Sequence, residues 1–427
     1  MKYFVLLLLI LIPFISWADS PLEVRLATEV QLVPIYMSQI KGDGKELQIP
    51  YLKKIDQVLR FDLNQNGSTV TLPVTQEREK GKSDLDVYFV IESRITGKNL
   101  KITIYDISLL KEYTIDGVEL VGTLSRDRQL IHELADTLHE ELFGVRGIAS
   151  TRIIFTDKDK TTGEVYVVDY DGANQLQLTN QNALCVTPSF IPPRLGLRGK
   201  DYFYVCYKTG QPKIFHATLD GGNGQRVTQL RGNQLMPQLS PQRNKLVFVS
   251  DAAGNPDIFL YKFNPQTGIV GKPRQIYAVP FATQASPVFN PSGTKIALVS
   301  NKDGRAKIYI MDIPKEGETL KDIHPQLLIK QNRSCTAPSW SPDGTKIAYT
   351  SKVDGTRQVW VCDLVTGIDK QVTRGAGHKE NATWAPNSLH LAYNDAHNVY
   401  MINLHQLKPV QLTRGTSEKK FPSWEQR

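Results

Sequence analysis

Cysteine is scarce in this 427-residue chain, with four in all: Cys185, Cys206, Cys335 and Cys362. None falls in a CxxC pair, which removes thioredoxin-like chemistry and the zinc sites built on such pairs. An oxidising compartment would allow two disulfides in any of three pairings, and free buried thiols are equally compatible, because a chain this long folds without staples. Long apolar runs are lacking too. After residue 18 no segment reaches the roughly 20 residues that a spanning helix needs, so no transmembrane span is expected in the mature chain. Charge of one sign is not gathered into blocks either: 51 Lys and Arg face 43 Asp and Glu, interspersed as in Gln76-Glu-Arg-Glu-Lys-Gly-Lys-Ser-Asp84. Nucleic-acid binding wants basic stripes with stacking aromatics, and none is present.

Catalytic signatures are missing as well. Gly81-Lys82-Ser83 resembles the end of a phosphate-binding loop, but the first glycine would fall at Gln76. His132-Glu133 begins like a zinc-protease helix, yet the second histidine is His139 instead of position 136, and both read as polar-face residues. No G-x-S-x-G occurs. Asp303, Asp343 and Asp354 sit in repeated hairpins, where turn chemistry accounts for them without calcium. The expectation is a chain that is not an enzyme, with no catalytic residue, no metal ligand and no cofactor.

What is present begins with Lys2, an apolar stretch from Phe4 to Ile15, and Ser16-Trp17-Ala18. This is the layout of a secretory signal (residues 1–18) cut before Asp19. Residues 19–148 form a first domain. Glu23 to Pro34 reads as an extended arm and strand. Tyr51 to Asn64 places apolar residues 52, 55, 58 and 59 on one helical face. Strands are expected over Leu85 to Ile95, Leu100 to Ile107 and Val118 to Leu124, then a helix over Arg128 to Phe143 with Gly144 as its C-terminal cap. The class is a small α/β domain.

From residue 149 to 427 the chain repeats. A proline followed two residues later by a large apolar side chain appears as Pro188-Ser-Phe190, Pro237-Gln-Leu239, Pro287-Val-Phe289, Pro338-Ser-Trp340 and Pro422-Ser-Trp424, with Ala382-Thr-Trp384 a sixth copy. The intervals are 49, 50, 51, 44 and 40 residues, a period that marks propeller blades. Within the units recur a turn such as Ser341-Pro-Asp-Gly344, alternating strands such as Lys346 to Thr350, and, at four places, a hydrophobe-threonine pair: Leu178-Thr179, Val227-Thr228, Val372-Thr373 and Leu412-Thr413. Residues 152 to 179 supply three strands without a first one, and Phe421 to Arg427 supplies a first strand without successors. Joined, they complete a sixth blade and leave no open edge, giving an all-β six-bladed propeller closed by the C-terminal strand. Ile191 to Lys200 reads as a surface excursion. The loops entering each first strand converge on one mouth of the channel: Gln181 to Val186, Arg231 to Met236, Ala282 to Ser286, Gln331 to Thr336, His378 to Asn381 and Gly415 to Phe421.

The order of parts resembles the TolB family, the periplasmic component of the Tol-Pal envelope system of Gram-negative bacteria. The similarity rests on Glu23-Val-Arg-Leu26, Leu142-Phe-Gly-Val-Arg-Gly147, Val168-Asp-Tyr-Asp-Gly172 and Ser341-Pro-Asp-Gly-Thr-Lys-Ile-Ala-Tyr349. The resemblance implies a monomeric, non-enzymatic adaptor in the periplasm that supports outer-membrane integrity and envelope constriction during cell division. It implies that a Pal-like peptidoglycan-associated lipoprotein binds the mouth through Asn182, Leu184, Asn233, Gln234, Leu235, Met236, Thr283, Gln284, Ala285, Arg333, Thr336, His378, Lys379, Glu380 and Lys419. It further implies a TolA-like inner-membrane partner on the arm, at Asp19, Leu22, Glu23, Val24, Arg25 and Leu26. The chain departs from the family pattern in a shortened link after the arm, Ala27-Thr-Glu29, and at Asn233 and Ala285, where His and Thr are expected. The rival class is a propeller enzyme or carbohydrate-binding protein acting on cell-wall material, which would line its channel with carboxylates or stacking aromatics.

Overall fold

The computed structural model of the chain describes residues 32–42, 45–72, 88–194 and 197–427. Residues 1–18, the arm from Asp19 to Thr28 and the segment Gln76 to Asp84 lie outside the described residues, and with them the readings placed there. The first layer is a five-stranded sheet with two helices on it. Its elements are β1 (Val33–Met37), α1 (Ile49–Gln65), β2 (Thr69–Thr71), β3 (Phe89–Thr96), β4 (Asn99–Asp106), β5 (Lys111–Glu119) and α2 (Leu124–Phe143). The strand order is β2-β1-β3-β4-β5, with β1 parallel to both neighbours and the rest antiparallel. Leu52, Ile55, Leu59 and Leu63 of α1 and Ile131, Leu134 and Leu138 of α2 bury one stripe each against Ile35, Ile91, Ile102 and Ile104 of the sheet. Gly144, at φ 71, ends α2 as expected and donates its N–H to Glu140 O at 2.7 Å.

Three expectations for this region need correction. The third long strand is Lys111–Glu119 and not Val118 to Leu124. It is a largely exposed edge strand whose register comes from pairing with β4, so its own sequence carries no alternation. The helix begins at Leu124, four residues before the apolar quartet suggests, because Asp127 in its first turn accepts the N–H groups of Val121 and Gly122 at 2.9 and 2.8 Å. His132 and His139 are not on a polar face. Both are buried, His132 completely.

From Arg152 onward the chain makes six four-stranded antiparallel sheets. Blades one to five have their innermost strands at Cys185–Phe190, Gln234–Leu239, Gln284–Phe289, Cys335–Trp340 and Glu380–Trp384. The sixth contains β6 (Arg152–Lys158), β7 (Gly163–Asp169) and β8 (Leu176–Gln177), and its innermost strand is Glu418–Trp424 from the far end of the chain. Trp424 pairs with Ile153 and Lys420 with Thr156, as the two sequence fragments require. The closure is reinforced by side chains. The Trp424 indole donates to Thr151 Oγ1 at 2.8 Å, Arg152 Nε donates to Glu425 Oε2 at 3.0 Å, and Arg427 binds Gly147 O, Asp136 and Ser150.

The hydrophobe-threonine pair has a specific task just past the outer strands of blades four, five and six. Thr179 Oγ1 accepts the N–H of Val165 at 2.8 Å and donates to Glu164 at 2.5 Å; Thr373 does the same for Val359 N and Gln358 Oε1, at 2.8 and 2.7 Å. One hydroxyl thereby satisfies two buried groups at the start of the third strand. Cysteine usage is mixed: Cys185 and Cys206 face each other on adjacent strands of blade one and form a disulfide, while Cys335 and Cys362 are buried free thiols. The segment Ile191 to Lys200 is more than an excursion, because Arg198 reaches Glu133 of α2 at 3.1 Å and Pro192 O accepts from Arg243 at 2.6 Å. Among the described residues no helix is long and apolar enough to cross a membrane.

Candidate functional site

Strand alternation decides which loops share a face. Because the strands within a blade are antiparallel, the loops leading into each innermost strand and the hairpins joining second to third strands emerge at the same end of the ring. The α1–α2 layer packs on the opposite end. There His405 Nδ1 meets Gly67 O at 3.0 Å, Arg128 pairs with Asp171, and one apolar cluster runs from α1 and α2 into Phe155, Tyr170, Met401 and Trp424. Two of the motifs quoted above are explained by close packing here: a Cβ on Gly147 would lie 2.6 Å from Asp136 Oδ1 of α2, and one on Gly172 (φ 88) would collide with Leu412 O of the neighbouring blade. The mouth face is left uncovered by these helices.

The channel itself holds a cavity of about 430 Å³. At one equivalent position in every innermost strand, immediately before the repeated proline or its alanine substitute, a non-glycine residue adopts the left-handed conformation. These are Thr187, Met236, Ser286, Ala337, Asn381 and Phe421, with φ between 47 and 55°. Each sits at a break in strand register, so each blade carries a bulge at its axis. All six line the cavity, and Arg427 is the one charged residue among the described lining. Six repeats of a conformation that costs on the order of 1 kcal/mol or more apiece mark a region whose shape is held by its surroundings. The tryptophans after the bulge are wedges between blades: Trp384 and Trp424 are buried, and Trp384 Nε1 donates to Ser339 O at 2.9 Å.

The predicted mouth residues divide into three groups. Asn182, Thr283 and His378 are exposed, and Leu184, Asn233, Leu235, Met236, Ala285, Thr336, Lys379 and Glu380 are half-buried around the rim or lumen. Asn233 is held by Asp251, which accepts from its N–H and its Nδ2 at 2.6 Å each. Glu380 pairs with Arg357 at 3.0 Å, and Met236 Sδ accepts the N–H of Ser286 at 3.1 Å. Gln234, Gln284 and Lys419 belong to the interior instead. Gln234 and Gln284 are fully buried; Gln234 Nε2 donates to Leu230 O at 2.6 Å, and Lys419 lies 3.4 Å from Asp157. Arg333 folds outward over the Trp360 ring, 3.8 Å from its centroid, and pairs with Asp369. Sequence reasoning missed Phe281. This residue is fully exposed, at φ 61, one position before the predicted loop from Ala282. The clue in the sequence was an aromatic after Pro280, between a strand and a mouth loop.

A second cluster of ionisable groups lies buried at the junction. His132 on α2 has Nδ1 2.7 Å from Asp62 of α1 and Nε2 3.4 Å from Asp171 of the sixth blade. Burial alone disfavours the imidazolium, but the carboxylates of Asp62 and Asp171 outweigh it and raise the pKa to about 10. Tyr170 donates to Asp62 at 2.9 Å, Asn174 donates to Asp169 at 2.7 Å, and Arg128 neutralises Asp171. His132, Asp169 and Asp171 bring ligand-type atoms within 4.8 Å of one another. Those atoms already face protein donors and counter-charges, so the arrangement is that of an ionic clasp.

Comparison with known proteins agrees with this geometry. A family model described as the TolB beta propeller domain matches residues 139–323 and 320–426. The chain is 44% identical over 403 residues to the TolB homolog of Protochlamydia amoebophila, covering 89% of this chain and 86% of that one. It is 37% identical over 372 residues to the TolB homolog of Chlamydia caviae, covering 86% and 84%. A solved structure of TolB from Acinetobacter baumannii shares the fold at 19% identity, with a TM-score of 0.73 over 93% of this chain and 97% of that one. Matched by that family model over more than half of its length and 44% identical to a TolB homolog across 89% of its residues, the chain belongs to the TolB family.

Proposed function

We propose that the protein is a non-enzymatic adaptor of the Tol-Pal system, exported to the periplasm by removal of residues 1–18. In this reading residues 19–148 form the domain that carries the partner-binding arm, residues 149–427 form the binding propeller, and the molecule works as a monomer. The mouth receives a Pal-like lipoprotein, and Asp19 to Leu26 engage a TolA-like protein. The observation that carries the reading is the fully exposed Phe281 on a face left open by the helical layer, beside rim residues such as Thr283 and His378. A large unpaired aromatic on such a rim is the residue type that anchors protein interfaces. The Cys185–Cys206 disulfide suits an oxidising compartment, and the channel is lined by prolines, small residues and aromatics such as the buried Trp384 and Trp424, with no carboxylate side chain among the described residues to serve as a general acid or base.

The test is binding of the purified mature chain to the soluble domain of the Pal-like lipoprotein encoded in the same genome. Saturable binding that is lost on substitution of Phe281 and Thr283 is expected. Absence of binding at micromolar concentrations overturns the assignment. The two ends are further proposed to be linked, so that removing residues 19–28 changes mouth affinity; equal affinities with and without those residues would remove the linkage.

A further inference from the structure

A ring of six similar blades does not by itself tell a partner which way to turn. The charge around the mouth does. On the arc made by the loops 279–285, 300–307, 328–335, 351–358 and 373–380, which belong to blades three and four and their flanks, eight cationic residues face three acidic ones once Arg333, turned outward onto Asp369, is left out. On the rest of the same face, loops 157–164, 179–185, 206–213, 228–234, 250–257, 394–398 and 413–420 carry six cationic and five acidic residues once the buried Glu164, Lys213, Asp257 and Lys419 are left out. The excess is therefore confined to one side. Hydrogen bonds join the loops of the arc into a continuous surface: Thr283 N to Asn301 Oδ1 at 2.7 Å, Cys335 N to Ala306 O at 2.8 Å, Lys352 N to Ser334 O at 3.3 Å and Lys379 N to Arg357 O at 2.9 Å. Lys302, Arg305, Lys330, Lys352 and Arg374 are all exposed, and none makes an ion pair among the described residues. Phe281 stands at one end of this arc.

We infer that the mouth partner is a protein with an acidic patch that docks on the blade three and four arc and an apolar recess that takes Phe281. This rests on the reading of the mouth as a protein-binding face and adds the partner's chemistry and its rotational orientation. Unpaired cations at a rim steer an acidic partner and reject like-charged ones, which shows mainly in the association rate, whereas a desolvated aromatic anchor shows mainly in dissociation. A protein is favoured over an anionic lipid surface because the charges form an arc around a concave opening and, among the described residues of that arc, Phe281 is the one large apolar side chain that protrudes.

Two full-length charge variants separate the ideas, each checked for an unchanged melting temperature. One reverses the arc (Lys302→Glu, Arg305→Glu, Lys330→Glu, Lys352→Glu). The other reverses four cations elsewhere on the face (Lys160→Glu, Lys208→Glu, Arg231→Glu, Arg414→Glu). The probe is the soluble Pal-like domain from the same genome. At 0.1 M salt the arc variant is expected to lower the association rate by about tenfold or more and to flatten its salt dependence. The control should lose less than about threefold, and Phe281→Ala should raise the dissociation rate by about tenfold. Equal losses in the two charge variants with intact wild-type binding overturn the inference and leave the proposed function standing. If the Pal-like domain does not bind wild type, a photo-crosslinking residue at position 281 in native cells identifies the occupant. A different protein, purified, whose binding the arc variant abolishes keeps the inference while the proposed function fails. No protein crosslink, or arc-dependent binding to phosphatidylglycerol vesicles, overturns it.

Discussion

Nδ1 of His132 lies 2.7 Å from Oδ2 of Asp62, deep between the two helices and the first strands of the propeller. Through its other nitrogen the same ring addresses Asp171, so a single imidazolium ties α1, α2 and the sixth blade together. Removing it strands two buried carboxylates.

His132→Gln is expected to destabilise the fold by about 3–5 kcal/mol, the usual cost of breaking a buried ion pair from one side. The pH dependence has a defined sign. The folded-state pKa is raised to about 10 from an unfolded value of 6.5, so the proton contributes fully below pH 6.5 and its contribution is lost as pH rises through 10. Denaturant titrations of both proteins at pH 6, 8 and 10 should show the wild-type advantage shrinking steadily. An advantage that stays constant across that range would mean the ring is held neutral.

His390 predicts the opposite trend. It is completely buried at the end of blade five facing Gly67, and burial, with His405 and His139 nearby, lowers its pKa to about 3. The unfolded chain binds this proton from pH 6.5 downward while the folded chain does not, so stability present above 6.5 is lost as pH falls. The loss amounts to about 3 kcal/mol by pH 4. In His390→Asn the acid limb of the stability curve should flatten. A variant and wild type with parallel acid limbs would place the acid sensitivity elsewhere.

Trp424→Ala tests the closure. The indole is buried, hydrogen-bonded to Thr151, and packed in the cluster shared with α1 and α2. A loss of about 3–5 kcal/mol is expected from the cavity. Deleting 421–427 should go further, exposing β6 as an edge and producing aggregation on size-exclusion chromatography. A monomeric, cooperatively melting deletion would show that β6 needs no partner.

Thr187 offers a gain. It is β-branched, left-handed at φ 48, and its buried Oγ1 has no hydrogen-bond partner among the described residues. Asparagine, which occupies the equivalent place in blade five at Asn381, tolerates that conformation better. Thr187→Asn should stabilise by about 0.5–1 kcal/mol in urea titrations. Destabilisation would show that the threonine methyl packs usefully in the lumen.

The propeller was legible because each blade repeats its turn chemistry and its proline-to-aromatic spacing, and a period of this kind survives any single irregular copy. Residues 152 to 179 and 421 to 427 could be matched because each lacked what the other had. β5 was misplaced since its strand character comes from β4 and not from its own residues, and His132 was misjudged because only the tertiary fold brings Asp62 and Asp171 to it. At the mouth, residue type could not tell a rim glutamine from one turned inward. Gln234 and Gln284 read as surface until their burial is seen, while Phe281, one position outside the predicted loop, stands in solvent.

The pairing of Glu418–Trp424 with β6 also dictates an order of assembly. A ring whose first and last segments share one sheet cannot be sealed until the final residues have been delivered, some 260 positions after β6 itself emerged. Until then β6 waits with one side bare, and any defect that keeps Glu418–Trp424 from reaching it leaves the ring unsealed.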